Sequence, residues 1–201
     1  MNLSVFKQIY FLSLLLLTSN YSNAQTELKF NAVTALVLVP NIGIEVGLSN
    51  HLSFQLDATA SFWDYIDGAP LQMTQIFPEF RYYPKATMNG FYIGGHAGYG
   101  MFTLAKSGFP QFVEKGSYTK DNQMSGRNTY YGITLGYKKY FDQRWGYEIF
   151  IGGGTSQANY RGYSYTDKIR QDIPFDETRN FNKSGEWLPY RGGLMIIYRM
   201  K

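Results

Sequence analysis

Residues 52–62 read LSFQLDATASF, and apolar and polar side chains alternate through the whole stretch. Successive side chains of a β-strand point to opposite faces, so this pattern predicts a strand with one apolar face and one polar face. The polar face includes Asp57, and a carboxylate is costly to bury unless a counter-charge lies beside it. A fold that contains this strand must therefore provide water or cations on its polar side.

The same period of two continues along most of the chain, with Gly, Pro and Asn between the runs. We count eight runs, at residues 28–39, 41–48, 52–63, 72–83, 90–104, 128–140, 145–158 and 187–199. The 21 Gly, 18 Tyr and 15 Phe favour β-structure over helices. The sequence predicts an all-β fold, an eight-stranded antiparallel up-and-down barrel formed by residues 25–201.

Alternating strands fit two opposite barrels, and the polar face distinguishes them. A soluble lipocalin-like barrel has its apolar face inside, whereas a transmembrane barrel has it outside. The polar face here carries charges of both signs, which can pair across a lumen, and several small Gly residues that suit a narrow interior. The predicted lumen ion network, which we interpret as structural, consists of Glu45, Asp57, Glu79, Arg81, His96, Lys138, Glu148 and Arg191.

Aromatic residues crowd the ends of the runs, as in Phe62-Trp63, Tyr82-Tyr83, Phe91-Tyr92 and Tyr130-Tyr131. Girdles of aromatic rings at both interfaces are typical of outer-membrane barrels. Connections near 49–51, 85–89 and 142–144 are short, while those at 64–71, 105–127 and 159–186 are longer and polar. Outer-membrane barrels have short periplasmic turns and long outer loops, and these lengths fit that pattern. The exception is the first outer connection, around Pro40-Asn41, which we expect to be tight.

The first 24 residues have the three parts of a secretory signal. Lys7 precedes the apolar stretch YFLSLLLL at 10–17, and small residues Ser22 and Ala24 precede a possible cleavage site before Gln25. The apolar stretch is less than half of the roughly 20 residues that a transmembrane helix needs. We expect residues 1–24 to be a cleaved signal peptide that directs export through the general secretory pathway to the outer membrane.

Seven segments, taken in order, resemble domain-of-unknown-function family 3575, a Bacteroidetes-type family of small outer-membrane barrels. They are VPNIGIEVGL at 39–48, PEFRY at 78–82, GGHAG at 94–98, GITLGY at 132–137, DQRW at 142–145, EIFIGGG at 148–154 and GGLMIIY at 192–198. The resemblance implies an outer-membrane barrel with no established activity. The chain departs from many such barrels by ending on Lys201, and Pro78 within a run predicts a bulge.

Candidate chemical groups are few. A carboxylate-pair hydrolase would need two acids about 5–10 Å apart in an open cleft, whereas the acids here share their face with cations. His96 falls in mid-strand, with no serine placed beside it by sequence, so we interpret it as a hydrogen-bonded interior residue. The GGGT stretch at 152–155 lacks the Lys and the helix of a phosphate loop.

Composition excludes further classes. No Cys is present, and two distant histidines make a poor metal site, so we expect no metal and no cofactor. A formal net charge of +4 without a clustered patch gives no reason to expect nucleic acid as a partner.

The sequence predicts a non-enzymatic outer-membrane barrel with an envelope-structural or loop-mediated recognition role. Its expected partners are outer-membrane lipid, the barrel-assembly machinery during biogenesis, and a glycan or protein at the outer loops. The alternatives are a lipid-modifying enzyme of small-barrel type and a soluble lipocalin-like carrier. A diffusion pore is disfavoured, because side chains fill the lumen of an eight-stranded barrel.

Overall fold

A computed structural model describes residues 25–66, 69–105, 122–166, 169–173 and 186–200. These residues form strands β1 (Thr26–Asn31), β2 (Asn41–Gly47), β3 (Leu52–Ile66), β4 (Ala69–Tyr82), β5 (Gly90–Ala105), β6 (Asn122–Tyr140), β7 (Trp145–Thr166), β8 (Ile169–Ile173) and β9 (Glu186–Met200), with a short helix α1 (Ala32–Leu36). The predicted signal peptide at 1–24 lies outside the described residues, and so do 106–121 and 174–185 of the predicted outer loops. Among the described residues, no helix has the length and apolar character needed to cross a membrane.

The strands close into a barrel. Each strand from β1 to β7 pairs antiparallel with the next, and β9 pairs with both β7 and β1. The last strand closes the ring onto the first through pairs such as Thr26 with Met200. Strand β8 lies outside this ring and, among the described residues, pairs with the final residues of β7. The predicted all-β, eight-stranded, antiparallel up-and-down barrel is therefore confirmed.

The two ends of the barrel differ. We call the end with the connections at 48–51, 83–89 and 141–144 the turn end, and the opposite end, which carries α1, the loop end. The strands are very unequal, because β1 has 6 residues and β2 has 7, whereas β6 has 19 and β7 has 22. The wall formed by β5, β6 and β7 therefore extends far beyond the β1–β2 hairpin at the loop end.

The first predicted strand, 28–39, is wrong beyond Asn31. The Asn31 side chain accepts hydrogen bonds from the backbone N–H groups of Val33 and Thr34, at 3.2 and 3.4 Å, and so begins α1. Such a cap satisfies N–H groups that have no partner inside the helix. The first loop-end connection consequently occupies residues 32–40 and includes α1, so the tight turn expected at Pro40-Asn41 is also wrong.

The predicted loop boundaries at 105–127 and 159–186 are wrong as well. Strand β6 already begins at Asn122, while β7 continues to Thr166 and forms a hairpin with β8. Pairing of β6 with β7 extends to Asn122 and Ser164, so each strand supplies the backbone partners of the other. Polar composition hid these strands because their pairing does not depend on an apolar face.

The prediction of a bulge at Pro78 is wrong. The hydrogen-bond ladder with β5 is interrupted there, but its register does not change. Ile76 pairs with Tyr99 and Glu79 with His96, so the two segments stay aligned across the missing proline N–H. A register shift occurs instead between β7 and β9, where Gly152 faces Arg191 but Gly153 faces Pro189. The extra residue is Tyr190, and its side chain turns inward.

The barrel has a polar interior and an apolar exterior along most of its length. Ser53, Gln55 and Asp57 of β3 are buried, as their alternation predicts. Large apolar side chains are exposed on all eight barrel strands, among them Leu28, Ile44, Leu56, Phe80, Ile93, Ile133, Ile149 and Trp187. Among the described residues, the interior thus brings charged side chains of both signs together.

Candidate functional site

The candidate site is the interior of the barrel, where carboxylates and cations fill the lumen of the turn-end half. Fully or almost fully buried charged residues are Glu27, Lys29, Glu45, Asp57, Glu79, Arg81, Lys138 and Glu148, and the Arg191 side chain is 6% exposed. We call these nine residues the plug. They come from seven of the eight barrel strands, because every strand presents alternate residues to the lumen.

Glu45 is the centre of the plug. Its Oε2 atom accepts hydrogen bonds from Lys138 Nζ at 2.7 Å and Arg81 Nη1 at 3.0 Å, and Lys29 Nζ also contacts it. Its Oε1 atom accepts from the hydroxyl groups of Ser53 at 2.5 Å and Tyr83 at 2.7 Å. Both carboxylate oxygens are therefore saturated by groups from other strands.

Glu148 faces Glu45 across the same cations. Lys29 Nζ lies 2.6 Å and Arg81 Nη1 lies 3.0 Å from Glu148 Oε2, and the Tyr92 hydroxyl donates to Oε1 at 2.6 Å. The guanidinium of Arg81 also lies over the Tyr92 ring, 4.3 Å from its centroid. The two carboxylates share two cations, which removes the repulsion that would otherwise separate them.

Arg81 links this centre to a second cluster nearer the loop end. Its Nε atom donates to Glu79 Oε1 at 2.7 Å, and Arg191 Nη1 binds Glu79 Oε2 at 2.6 Å. Arg191 also pairs with Asp57 through Nη2. The network is therefore continuous from Lys138 at the turn end to Arg191 in mid-barrel.

His96 sits against this second cluster with both ring nitrogens in hydrogen bonds. Thr134 Oγ1 donates to Glu79 Oε2 at 3.0 Å and lies 2.9 Å from His96 Nδ1, while the Tyr190 hydroxyl lies 2.6 Å from Nε2. Because the single Thr134 hydrogen goes to Glu79, its oxygen accepts from Nδ1–H, and Nε2 accepts from Tyr190. This network assigns the neutral Nδ1–H tautomer to His96.

An aromatic layer covers the plug on its loop-end side. Phe77 stacks on Tyr190 with ring centroids 6.0 Å apart, and Tyr130 lies 4.9 Å from Tyr190 and 5.3 Å from Phe77. A Cβ atom on Gly98 would lie 2.3 Å from the Phe77 ring, so the ring requires glycine at that position. We call Phe77, Tyr130 and Tyr190 the aromatic floor.

The family model described as "Protein of unknown function (DUF3575)" matches residues 9–200. The chain belongs to the DUF3575 family. No curated protein matches the sequence. Membership in DUF3575 brings no activity with it, so the geometry of the site has to supply the argument.

The structure brings all eight predicted network residues of this DUF3575 barrel into one interior. Glu45, Asp57, Glu79, Arg81, His96, Lys138, Glu148 and Arg191 all lie in or against the plug. The sequence reasoning missed Lys29, which binds Glu148, and Glu27, which binds Lys138 at 2.7 Å. The signal was present, because Glu27 and Lys29 alternate with apolar Leu28 and Phe30.

Several aromatic residues of the predicted girdles are interior residues instead. Tyr83, Tyr92 and Tyr130 are buried, because only one member of each adjacent pair can face outward in a strand. Simple alternation with inward Arg191 would place Tyr190 on the outer face, but the register shift at Gly152 and Gly153 turns it inward. The exposed aromatic residues still form two groups, with Tyr82, Phe91, Phe141 and Trp145 near the turn end and Phe62, Tyr99, Tyr131 and Trp187 towards the loop end.

The arrangement offers little for catalysis in this DUF3575 member. Thr134 beside His96 resembles a nucleophile beside a base, but Thr134 is 0% exposed and its hydrogen is held by Glu79. The carboxylates of the plug are likewise buried and bound by cations. Within the described ranges, no group of three or more His, Asp or Glu side chains is arranged to hold a metal ion.

A groove of about 830 Å³ lies along β3, β4, β5 and β6 near the loop end. Its lining includes apolar Phe62, Tyr99 and Met101 and, further towards the loop end, polar Thr103 and Arg127. The lining residues include no carboxylate and no histidine. The groove therefore marks a boundary between apolar and polar outer surface and supplies no general acid or base.

Proposed function

We propose that this chain is an exported protein whose barrel spans the outer membrane, closed by its plug, with a non-enzymatic role in envelope structure or in recognition through its outer loops. The observation that carries the proposal is the combination of a buried plug with exposed apolar side chains on all eight strands. A soluble barrel needs the reverse arrangement, and a monomeric soluble protein rarely exposes apolar patches above a few hundred Å². Lipid is the solvent that this exterior fits.

The two groups of exposed aromatic rings support the same orientation. Trp145 is 44% exposed and packs on Tyr198 with ring centroids 5.0 Å apart at the turn end, and Trp187 is 76% exposed towards the loop end. Indole and phenol rings favour the interface between hydrocarbon and headgroups. With short turns in the periplasm, the loop end faces outward, where the loops would meet a glycan or a protein.

A plugged lumen supports a non-enzymatic, non-conducting role over the lipid-modifying enzyme. Thr134 and His96 are the pair that most resembles a nucleophile beside a base. Both lie within the network below the aromatic floor. An enzyme acting on a lipid needs its catalytic groups at the rim, where substrate can reach them. Outer-membrane lipid and, during biogenesis, the barrel-assembly machinery are the partners that this function requires.

Cell fractionation tests the proposal. We expect the full-length protein to appear in the outer-membrane fraction, to start at Gln25 after removal of residues 1–24, and to migrate faster on gels before heating than after. If the proposal holds, detergent is needed to release the protein from this fraction. Recovery as a soluble periplasmic protein would overturn the proposal and favour the lipocalin-like carrier.

A further inference from the structure

The alternation changes near the loop end, where β4 and β5 place apolar side chains on the inner face. Below the aromatic floor, apolar residues face out and charged residues face in, as with Ile133 and Lys138. Above the floor, Ser61 pairs with Met73, and Met73 pairs with Phe102 on the same face. Directly opposed residues of a ladder point the same way, and Ser61 is buried inside, so Met73 and Phe102 face the lumen.

A second row of interior residues lies still closer to the loop end. Trp63 pairs with Leu71, and Leu71 pairs with Leu104, again on the inner face. The outward neighbours Gln72 and Thr103 are polar and partly exposed, whereas the outward neighbour Phe62 is apolar and 75% exposed. On β3, β4 and β5, the loop-end half of the barrel thus has a patch of apolar side chains on its inner face, as the interior of a soluble lipid-carrying barrel does. We call this half the cup; its floor is the aromatic floor.

Charge distinguishes the cup from the plug. Trp63, Leu71, Met73, Phe102 and Leu104, which face into the cup, carry no charge, whereas the plug below consists of charged residues only. Trp63, Met73, Phe102 and Leu104 are each partly exposed, so the cup is an open apolar surface within the part of the chain that the structure describes. An uncharged apolar occupant fits such a surface, because it removes apolar area from water without burying an ion.

The cup also has a slot in its wall. Strand β2 stops pairing with β3 at Asn41 and Thr59, and the last contact is the hydrogen bond from Ala60 N to Pro40 O at 3.0 Å. On the other side, β1 stops pairing with β9 at Asn31 and Met195. Residues 61–66 of β3 and 186–191 of β9 therefore lack β-partners on the sides that face each other, among the described residues. We call the gap between them the slot.

Helix α1 closes the slot only at its base. It packs against β9 and makes no comparable packing against β3 among the described residues. The end of α1 and the residues that follow it are apolar and exposed, with Leu36 86%, Val37 61% and Leu38 64% exposed. A strand of 6 residues tilted by roughly 40° spans about 15 Å along the barrel axis, whereas the apolar band of such barrels is about 25 Å tall. The base of the slot therefore lies at a depth where its surroundings are hydrocarbon.

We propose that the cup takes an acyl chain of a membrane lipid, which enters from the outer leaflet through the slot between α1 and β3. The proposal rests on the proposed function, since the slot leads to lipid only if the barrel spans a membrane. We call the exposed apolar side chains on the outside of the eight barrel strands the belt. Exposed Leu36, Val37 and Leu38 lie at the base of the slot, so the neighbouring lipid is the apolar occupant nearest to it. No bond is made or broken in this binding.

Tryptophan quenching by lipid chains tests the proposal. Of the three tryptophans, Trp63 faces the cup, whereas Trp145 and Trp187 are exposed on the outside. One variant keeps only Trp63 (Trp145→Phe and Trp187→Phe), and a second keeps only Trp145 (Trp63→Phe and Trp187→Phe). Each full-length variant is reconstituted into dioleoylphosphatidylcholine vesicles and into vesicles of the same lipid brominated on its acyl chains.

We expect brominated chains to remove most of the emission of Trp63 as well as that of Trp145. In the Trp63-only protein, Met73→Lys should restore the emission by placing a charge in the cup, while the neighbouring outward change Thr74→Lys should not. Leu104→Lys repeats the test at a second interior position if Met73→Lys does not fold.

The outcomes separate this proposal from the proposed function. Quenching of Trp145 alone would overturn the cup proposal and leave the transmembrane barrel standing, and no quenching of either residue would overturn both. If Trp63 resists brominated lipid but acrylamide in the water quenches it, the cup holds water. If neither quencher reaches Trp63, the protein itself fills the cup. Either of these last results also overturns the proposal.

Discussion

At the scale of single residues, the plug shows why a charged interior is stable in so narrow a barrel. Arg81 contacts Glu45, Glu79 and Glu148 at 2.7–3.0 Å, so one guanidinium compensates three carboxylates. Removing one member of a buried ion cluster leaves the others uncompensated, and this loss is much larger than the net value of the intact cluster. Arg81 is therefore the residue whose loss the plug tolerates least.

Replacement of Arg81 by Met tests this statement. We expect Arg81→Met to lower the free energy of unfolding by about 3–5 kcal/mol, because the carboxylates that it binds stay buried without their cation. Urea titration, with the folded fraction measured by gel mobility before heating, gives the change. The exposed Lys139 offers a matched control, since Lys139→Met should change stability by no more than about 0.5 kcal/mol. Equal effects of the two variants would contradict a stabilising role for the plug.

At the scale of elements, short side-chain caps decide where strands and turns end. Asn31 caps α1 and also donates from Nδ2 to Asn41 Oδ1 and to the Gly192 carbonyl, both at 3.2 Å. Its side chain lies so close to Gly193, whose φ is 151°, that a Cβ atom there would be 2.4 Å from Asn31 Oδ1. One side chain therefore joins β1, α1, β2 and β9 at the base of the slot.

The turn between β6 and β7 depends on Asp142 in a similar way. Its Oδ1 atom accepts from the backbone N–H groups of Trp145 and Arg144, each at 2.6 Å. These two hydrogen bonds, with Trp145 the larger contribution, hold the pKa of the Asp142 carboxyl below its ordinary value. The charged carboxylate is thus the form that the folded turn prefers.

This preference predicts a pH dependence. A lowered folded-state pKa gives stability that is fully present above the unfolded value of about 3.9 and is lost as the pH falls through the folded value. We expect Asp142→Ala to lower the urea midpoint at pH 7 and the difference from wild type to shrink below about pH 4. Asp142→Asn keeps an acceptor without a charge, so the Asn-to-Ala difference should not vary with pH. A wild-type-to-Ala difference that is constant from pH 7 to pH 3 would contradict this account of the turn.

At the scale of the whole molecule, the direction of the alternation determines which solvent each part of the barrel meets. Outward residues Ile133 and Leu135 on β6 are apolar and more than half exposed, whereas outward Asn159 on β7 is polar and lies beyond the belt. The same wall thus passes from an exterior suited to hydrocarbon to one suited to water. Inside the barrel, the aromatic floor lies at the same height as this change.

Lysine substitutions on the outer face of the barrel test where the hydrocarbon of the membrane lies. If lipid surrounds the belt, Ile133→Lys should lower the free energy of unfolding into bilayers by about 2–4 kcal/mol, the range for a cation near the bilayer midplane. Asn159→Lys, on the polar part of the same wall, should have an effect close to zero. Reversible urea unfolding in lipid vesicles provides both values. If Ile133→Lys behaved like Asn159→Lys, water rather than lipid would surround the belt.

The sequence predicts the structure best where one alternating pattern persists for many residues. The run from Leu52 to Phe62 determined which face of β3 is buried, and the same period gave the strand number and the charged interior. It failed where a local interaction competed with the pattern, as when the Asn31 cap turned residues 32–36 into α1. It also failed where polar strands such as the end of β7 are held by backbone pairing, which side-chain hydropathy does not report.

The sequence by itself determined the barrel, because the period of two is a covalent property of the chain and needs no partner to be read. Only the tertiary structure decided the closure of β9 onto β1, the extra residue at Tyr190 that completes the aromatic floor, and the grouping of Lys29, Arg81 and Lys138 around Glu45 and Glu148. These depend on register, which sets the partner of each residue across distant strands. Alternation fixes the face on which a residue lies, whereas register fixes its neighbours on that face, and the neighbours determine whether a charge is stable.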